Sequence, residues 1–152
     1  EAAQHLKRFK AHPSDPDAND LVIELHSSVL KNLSQAALKC ECWTQALLAA
    51  DDALALNVGD HKAWFRRACA LEALARLDEA EAALSRIDDL AVGRPDRARL
   101  TKDVQARRER IAQIRRKDNA VQKRALESAL HKQVFSTERK LADDDGQLRR
   151  NM

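Results

Sequence analysis

The fold is decided by the stretch Asn32–Leu84, NLSQAALKCECWTQALLAADDALALNVGDHKAWFRRACALEALARLDEAEAAL, because this stretch repeats itself. A shift of 34 residues superposes small or apolar residues in the pairs Ala36–Ala70, Ala37–Leu71, Cys40–Leu74, Trp43–Leu77, Ala46–Ala80 and Ala50–Leu84. The turn Asn57–Asp60 falls in the same frame, and Asp60 is a candidate N-cap for the next helix. The repeat therefore predicts successive helix pairs of equal length.

The composition favours helices in the rest of the chain as well. The 152 residues include three glycines, three prolines and no tyrosine, and aromatic residues make up only 3%. Strands and hairpins have little raw material here, whereas the abundant alanine, leucine, arginine, lysine, glutamate and glutamine are good helix formers. The predicted fold class is all-α. A 34-residue period of helix pairs is the signature of the tetratricopeptide repeat (TPR), whose pairs stack into a superhelix.

Turn signals and caps give the expected boundaries. Two prolines between His12 and Asp17 should separate a short first helix from a second one, which begins at an N-cap at Asn19 or Asp20. Helices are expected at about 1–11, 20–39, 43–56, 61–75, 78–90 and 94–140. We accordingly divide the chain into TPR repeats at 1–93, an extended C-terminal capping helix at 94–140 and a frayed tail at 141–152.

The repeated residues have clear packing roles. Ala46 and Ala80 should let paired helices approach closely, while Trp43 and Leu77 should fill the gap between successive helices. The usual small residue early in the first helix is Ser34 or Ala68. The proline that often follows the second helix is replaced by Val58, so we expect Gly59 to make the turn.

Three segments resemble a known family: Asn32–Lys39, Trp43–Ala46 and His61–Ala68. They are similar to the TPR domains of co-chaperones, above all to those that follow the isomerase domain in large FKBP-type immunophilins and large cyclophilins. The resemblance covers roughly residues 1–135, including an extended charged helix after the third repeat. It implies a cytoplasmic protein-interaction module that binds the acidic C-terminal tail of a heat-shock chaperone, ending Glu-Glu-Val-Asp.

The resemblance also implies a carboxylate clamp at Asn32, Lys62 and Arg66. Asn32 and Arg66 lie one period apart and should face one concave surface, and Lys62 is one turn before Arg66. A terminal aspartate carries two carboxylates, which several fixed cationic or amide donors can hold. Of the neighbouring residues, Lys31 and Arg67 are interpreted as ordinary surface charges, and at least one of Trp64 and Phe65 as core.

Half of the family's clamp has no counterpart in this sequence. Glu1-Ala2-Ala3 aligns with the second helix of the first repeat, so the helix that carries the first-repeat lysine and asparagine would precede Glu1. We therefore expect a C-terminal fragment without the isomerase domain. The exposed repeat face of such a fragment would favour a dimer.

Basic residues concentrate between Arg97 and Arg124, although the net charge of the chain is only +3. Together with an intermittent apolar stripe, they make calmodulin or an anionic surface an alternative partner for residues 97–124. The other interpretation is a solvated helix whose first half covers the last repeat. A further alternative is a general TPR scaffold for another peptide. Nucleic acid is not expected, because no aromatic residues are interleaved for base stacking.

No arrangement of residues predicts catalysis, a cofactor or a metal. The five histidines are scattered, and Cys40-Glu41-Cys42 has neither zinc-ligand nor thioredoxin spacing. Three glycines can hardly form a phosphate-binding loop. No apolar run approaches the ~20 residues of a membrane span. The three cysteines are expected to be reduced, partly buried thiols.

Overall fold

The computed structural model describes the backbone of residues 16–150 and the side chains of residues 18–135. Over that range the chain consists of α-helices joined by short turns and contains no strand, which confirms the all-α prediction. The helices are α1 (Pro16–Lys39), α2 (Trp43–Leu56), α3 (His61–Ala73), α4 (Leu77–Ala91) and α5 (Arg97–Arg150). The helix expected at 1–11 lies outside the described residues.

The helix boundaries agree with the turn signals except at the two ends. α1 begins at Pro16, earlier than the caps proposed at Asn19 or Asp20. Proline is favoured in the first turn, because its fixed φ suits a helix and its missing N–H would have no partner there. At the other end, α5 continues to Arg150 through the segment that we expected to fray. The single Gly146 costs such a helix only about 1 kcal/mol relative to alanine.

The turns within the two helix pairs have the same backbone structure, 34 residues apart. In the first turn the Cys42 N–H donates to the Ala37 carbonyl at 2.9 Å, and in the second the Arg76 N–H donates to Leu71 at 2.9 Å. Glu41 and Ala75 occupy the left-handed region in these turns, with φ of 59° and 58°. This is the Schellman end of a helix, which usually carries glycine at that position. The sequence repeat is therefore a structural repeat.

Burial follows the same period. The positions at which paired helices cross are filled by Ser34, Ala46, Ala68 and Ala80, all 0% exposed. The Ser34 hydroxyl also donates to the Ala46 carbonyl at 2.9 Å, which joins α1 to α2. Small side chains at these positions allow close approach of the helices, as expected. The period fails at Ala36, which is exposed although Ala70, one period later, is fully buried.

The first part of α5 belongs to the core of the repeats. Val104 and Ile111 are buried and pack in the same cluster as Leu71 and Leu84. The start of this helix therefore packs on α3 and α4. The chain divides into two compact units, one ending at Ile111 and the other beginning at Ala112. In the second unit, every side chain from Arg116 to Phe135 is exposed.

Gly59 lies in the turn between α2 and α3, as expected, and outside the left-handed region. Its N–H donates to the Asn57 side-chain oxygen at 2.9 Å, so Asn57 also shapes this turn. The expectation of partly buried cysteines is wrong for two of the three. The cysteines are free thiols, but Cys40 and Cys42 are exposed because they lie in the turn between α1 and α2. Only Cys69 is half-buried.

Candidate functional site

A groove of about 410 Å³ lies between α1, α3 and the start of α5. Its apolar floor contains Phe65, Leu100 and Val104, and polar side chains surround that floor. The full lining consists of Gln35, His61, Lys62, Phe65, Arg66, Ile87, Asp96, Arg99, Leu100, Asp103 and Val104. An apolar floor with convergent polar groups is the usual composition of a binding site.

The position of α3 is fixed by Asp60, the N-cap predicted from the sequence. One Asp60 oxygen accepts hydrogen bonds from the backbone N–H groups of Lys62 and Ala63, at 2.9 and 3.1 Å. The other accepts from Lys31 Nζ at 2.6 Å, which ties α1 to the start of α3. Burial alone would raise the pKa of Asp60, but these hydrogen bonds outweigh it and hold the pKa below its ordinary value. Asp60 thereby sets the direction in which the groove side chains of α3 leave the helix.

Arg66 lies in the groove with hydrogen-bonding capacity that the protein leaves unused. Its Nε donates to the Gln35 side-chain oxygen at 3.2 Å, across from α3 to α1. Its Nη1 is buried and has no hydrogen-bond partner within the described part of the chain. Burial lowers the pKa of the guanidinium. A buried, unsatisfied cationic donor is costly, so this atom is a natural place for an anionic ligand.

Two further cations of the groove lack carboxylate partners. Neither the Lys62 ammonium nor the Arg99 guanidinium forms an ion pair with any residue between 18 and 135. Several other cations that pack on the repeats are neutralised: the pairs are Lys31–Asp60, Arg67–Asp51, Arg94–Asp96 and Arg107–Glu72. Lys62 and Arg99 therefore leave positive charge in the groove that these carboxylates do not neutralise.

His61 is a further titratable group of the groove. Burial lowers the pKa of this imidazole, and the charge of Arg94 acts in the same direction. His61 is consequently neutral at physiological pH, and the positive charge of the groove comes from its lysine and arginines.

The structure brings together two of the three residues proposed for the clamp. Lys62 and Arg66 both line the groove, one turn apart on α3. Asn32 is exposed on α1 and does not belong to the described lining. Gln35, three residues further along α1, supplies the amide there. Sequence reasoning missed Gln35, although its place one turn after Asn32 on the same helix was an available signal.

Lys31 and Arg67 are not the ordinary surface charges that we expected. Lys31 Nζ is 2.6 Å from Asp60, whose side chain is only 10% exposed. Arg67 Nε is 2.7 Å from Asp51 and its guanidinium lies over the Trp64 ring. Both interactions join different helices, so these residues position α3 against α1 and α2.

The aromatic pair of α3 serves both the core and the groove. Trp64 and Phe65 are half-buried and pack against the core. The Trp64 indole donates to the Val58 carbonyl at 2.8 Å, which fixes the turn before α3. Phe65 also lines the groove, and its ring lies under the Arg107 guanidinium.

The α5 wall of the groove is held by a nearly buried carboxylate. Glu72 on α3, whose side chain is 4% exposed, receives Arg107 Nη1 at 2.9 Å and Arg110 Nε at 2.8 Å. Arg108 adds an ion pair with Asp88 on α4 at 2.7 Å. Two helices therefore fix α5, and the groove has a defined width before any ligand binds.

The described side chains give this groove the chemistry of an anion-binding surface. They bring no group of three metal-ligating side chains together, and between residues 16 and 150 no helix has the length and apolarity needed to cross a bilayer. No protein-family model and no curated protein matches the chain.

Proposed function

We propose that the chain is a non-catalytic TPR module that binds the carboxyl-terminal end of an acidic peptide in the groove between α1, α3 and α5. The 34-residue recurrence of the Schellman turns, and of the buried positions Ala46 and Ala80, supports the repeat type. Together with the sequence resemblance, it supports a co-chaperone domain of the large-immunophilin kind. The partner that we propose is the tail of a heat-shock chaperone, ending Glu-Glu-Val-Asp, in the cytoplasm.

One observation carries this proposal. Lys62 and Arg66 line the same groove, and neither the Lys62 ammonium nor Arg66 Nη1 has a partner among the described residues. A carboxylate placed between them would satisfy both donors, and charge-assisted hydrogen bonds of this kind are among the stronger ones. A chain end and an acidic side chain both offer such a carboxylate. The sequence resemblance, which implies a clamp for a terminal aspartate, is what favours the chain end.

The role of the amides follows from their positions. Gln35 already orients Arg66 through its side-chain oxygen. Asn32 lies one turn away on α1, outside the groove lining, and we assign it a peripheral place in the clamp. Replacing Asn32 with alanine should accordingly weaken binding less than replacing Lys62 or Arg66.

The test is a titration of the pentapeptide Met-Glu-Glu-Val-Asp, with a free or an amidated C-terminus, followed by calorimetry. We expect the amide to lose most of the affinity. Lys62→Ala and Arg66→Ala should each weaken binding of the free acid by roughly tenfold or more, because a hydrogen bond to a charged group contributes about 1.5–3 kcal/mol.

Lys102→Ala is the matched control. Lys102 is an exposed cation of α5 that does not belong to the described groove lining, and its loss should leave the affinity unchanged. Equal binding of acid and amide would instead indicate a general scaffold for another kind of segment. If Lys102→Ala weakened binding as much as Arg66→Ala, the loss of affinity would reflect the net charge of the protein and not a specific contact in the groove.

A second candidate function is favoured by the exposed face of the later part of α5. Leu126, Leu130 and Val134 follow one another at four-residue spacing, share one face of the helix and are 52–62% exposed near the basic residues Lys123 and Arg124. A basic helix with an apolar face is the kind of target that calmodulin binds. The expected result is a calcium-dependent complex in a gel shift that survives Arg66→Ala; no complex in the presence of calcium dismisses this candidate.

A further inference from the structure

The groove has a second wall, and its cation belongs to a different helix from the proposed clamp. Arg99 lies on α5, whereas Lys62 and Arg66 lie on α3. All three line the same groove around the floor formed by Phe65 and Leu100. The second wall is rigid, because α5 is fixed by the buried Val104 and Ile111 and by the Glu72 ion pairs.

Lys62 and Arg66 are spaced to hold one carboxylate between them. Residues four apart on a helix have their Cβ atoms about 5–6 Å apart, so the ends of both side chains can reach the same anionic group. Arg99 approaches the groove from α5, and its guanidinium has no partner in the described part of the protein. Once the α3 pair holds one carboxylate, Arg99 is available for another.

The acidic residues of the groove do not cancel this charge. Asp96 is neutralised by Arg94, whose Nε is 2.9 Å from the Asp96 carboxylate. Asp103 is the other carboxylate of the described lining, and it stands against the three cations Lys62, Arg66 and Arg99. The groove thus keeps an excess of positive charge that a single carboxylate would not neutralise.

We infer that Arg99 is a specificity-determining residue, which binds a side-chain carboxylate near the end of the peptide while Lys62 and Arg66 hold the terminal carboxylate. The inference rests on the proposed function and adds a residue to it: Arg99 on α5 holds the second carboxylate, while the α3 pair holds the first. A peptide with a free C-terminus and no acidic side chain would then engage only the α3 wall.

A double-mutant cycle between protein and peptide tests this assignment. The protein variants are Arg99→Ala, Arg99→Lys and the control Lys102→Ala on the same helix. The peptides are Met-Glu-Glu-Val-Asp, its variant ending in Asn, and its variants with Gln at either Glu, all with a free C-terminus. Calorimetry gives the affinity of each combination, and circular dichroism checks that the variants remain folded.

The expected result is specific to one acidic side chain. Arg99→Ala should weaken binding of the parent peptide by roughly tenfold and have almost no further effect once the matching Asp or Glu has been replaced by its amide. Arg99→Lys should recover part of the loss, since it restores the charge without the bidentate geometry. The amide-substituted peptide that shows this coupling identifies the carboxylate that Arg99 binds.

Other outcomes separate this inference from the proposed function. If Arg99→Ala leaves every affinity unchanged, or lowers all of them equally, the assignment of Arg99 is wrong. If Arg66→Ala still weakens binding by roughly tenfold or more when Arg99→Ala has no specific effect, the proposed function holds without a role for Arg99. If no peptide with a free C-terminus binds the unaltered protein, both proposals fall together.

Discussion

At the scale of single residues, Asp60 shows how one side chain connects local structure with the site. It caps α3 by accepting from the backbone of Lys62 and Ala63, and it receives Lys31 from another helix. The capping role could be predicted, because an aspartate after a Gly-containing turn and before an apolar-periodic segment has a local signature. The Lys31 pairing could not, since nothing local in the sequence connects residues 29 positions apart.

Replacing Asp60 should therefore destabilise the protein in two separable steps. Asp60→Ala removes the cap and the ion pair, and loss of an N-cap alone costs about 1 kcal/mol. Asp60→Asn keeps a capping oxygen and removes only the charge. Its free energy of unfolding should therefore lie between that of the unaltered protein and that of Asp60→Ala. Urea denaturation at neutral pH measures both variants, and equal destabilisation by Ala and Asn would contradict the capping role.

The stability that Asp60 contributes should disappear in acid. Its folded-state pKa lies below the ordinary value of 3.8, so the contribution is fully present above that value. It is lost as the pH falls from 3.8 through the lower folded-state pKa. The difference in unfolding free energy between the unaltered protein and Asp60→Asn should accordingly be constant from pH 7 to about 5 and shrink below pH 4. A difference that persists undiminished at pH 2 would contradict the assignment.

At the scale of helices, positions that are equivalent in the sequence repeat are not always equally buried. The pairs Ser34–Ala68 and Ala46–Ala80 are equally buried, because each lies where two helices of a pair cross. Ala36 and Ala70 are equivalent by sequence, yet Ala36 is exposed and Ala70 is 0% exposed. A periodic sequence identifies which face of a helix is apolar, while the neighbours present decide whether that face is covered.

This difference gives a matched pair of substitutions. Ala70→Leu should cost about 1–3 kcal/mol, since overpacking a filled core forces side chains out of their preferred conformations. Ala36→Leu adds the same atoms at an exposed position and should change the stability by less than about 0.5 kcal/mol. Thermal and urea unfolding measure both, and similar costs would show that the two positions have the same environment after all.

The helix boundaries could be predicted from local signals in the sequence, whereas the composition of the groove could not. Helices end where turn residues and caps appear, and such signals are local; α2 was predicted with its observed ends, Trp43 and Leu56. The groove depends on contacts between distant segments. Lys62 and Arg66 were implied by the resemblance and lie one turn apart on one helix. Gln35 lies one turn after Asn32, a signal that was not used, and Arg99 comes from another helix and carried no local signal.

At the scale of the whole molecule, the described core ends within α5. Val104 and Ile111 are buried, and no side chain from Arg116 to Phe135 is. A chain that ends after Asp118 should therefore keep the unfolding free energy of the longer protein within about 1 kcal/mol, since the side chains described beyond that point, up to Phe135, are all exposed. Its helical circular dichroism should fall in proportion to the residues removed.

A chain that ends after Ala106 is the control for that prediction. It loses Ile111 and the Arg107 and Arg110 partners of the nearly buried Glu72. Removing a buried isoleucine side chain alone costs roughly 2–5 kcal/mol, so this shorter protein should be far less stable. A similar melting temperature for the two shortened chains would contradict the position assigned to the end of the core.

The buried, unsatisfied Nη1 of Arg66 has a consequence for the stability of the free protein. In the unliganded state this atom is an energetic burden, so Arg66→Met, which keeps the apolar stem, should raise the melting temperature of the free protein while it removes affinity for the peptide. The free protein would then carry an instability that a bound acceptor removes, so added peptide should raise the melting temperature of the unaltered protein but not that of Arg66→Met.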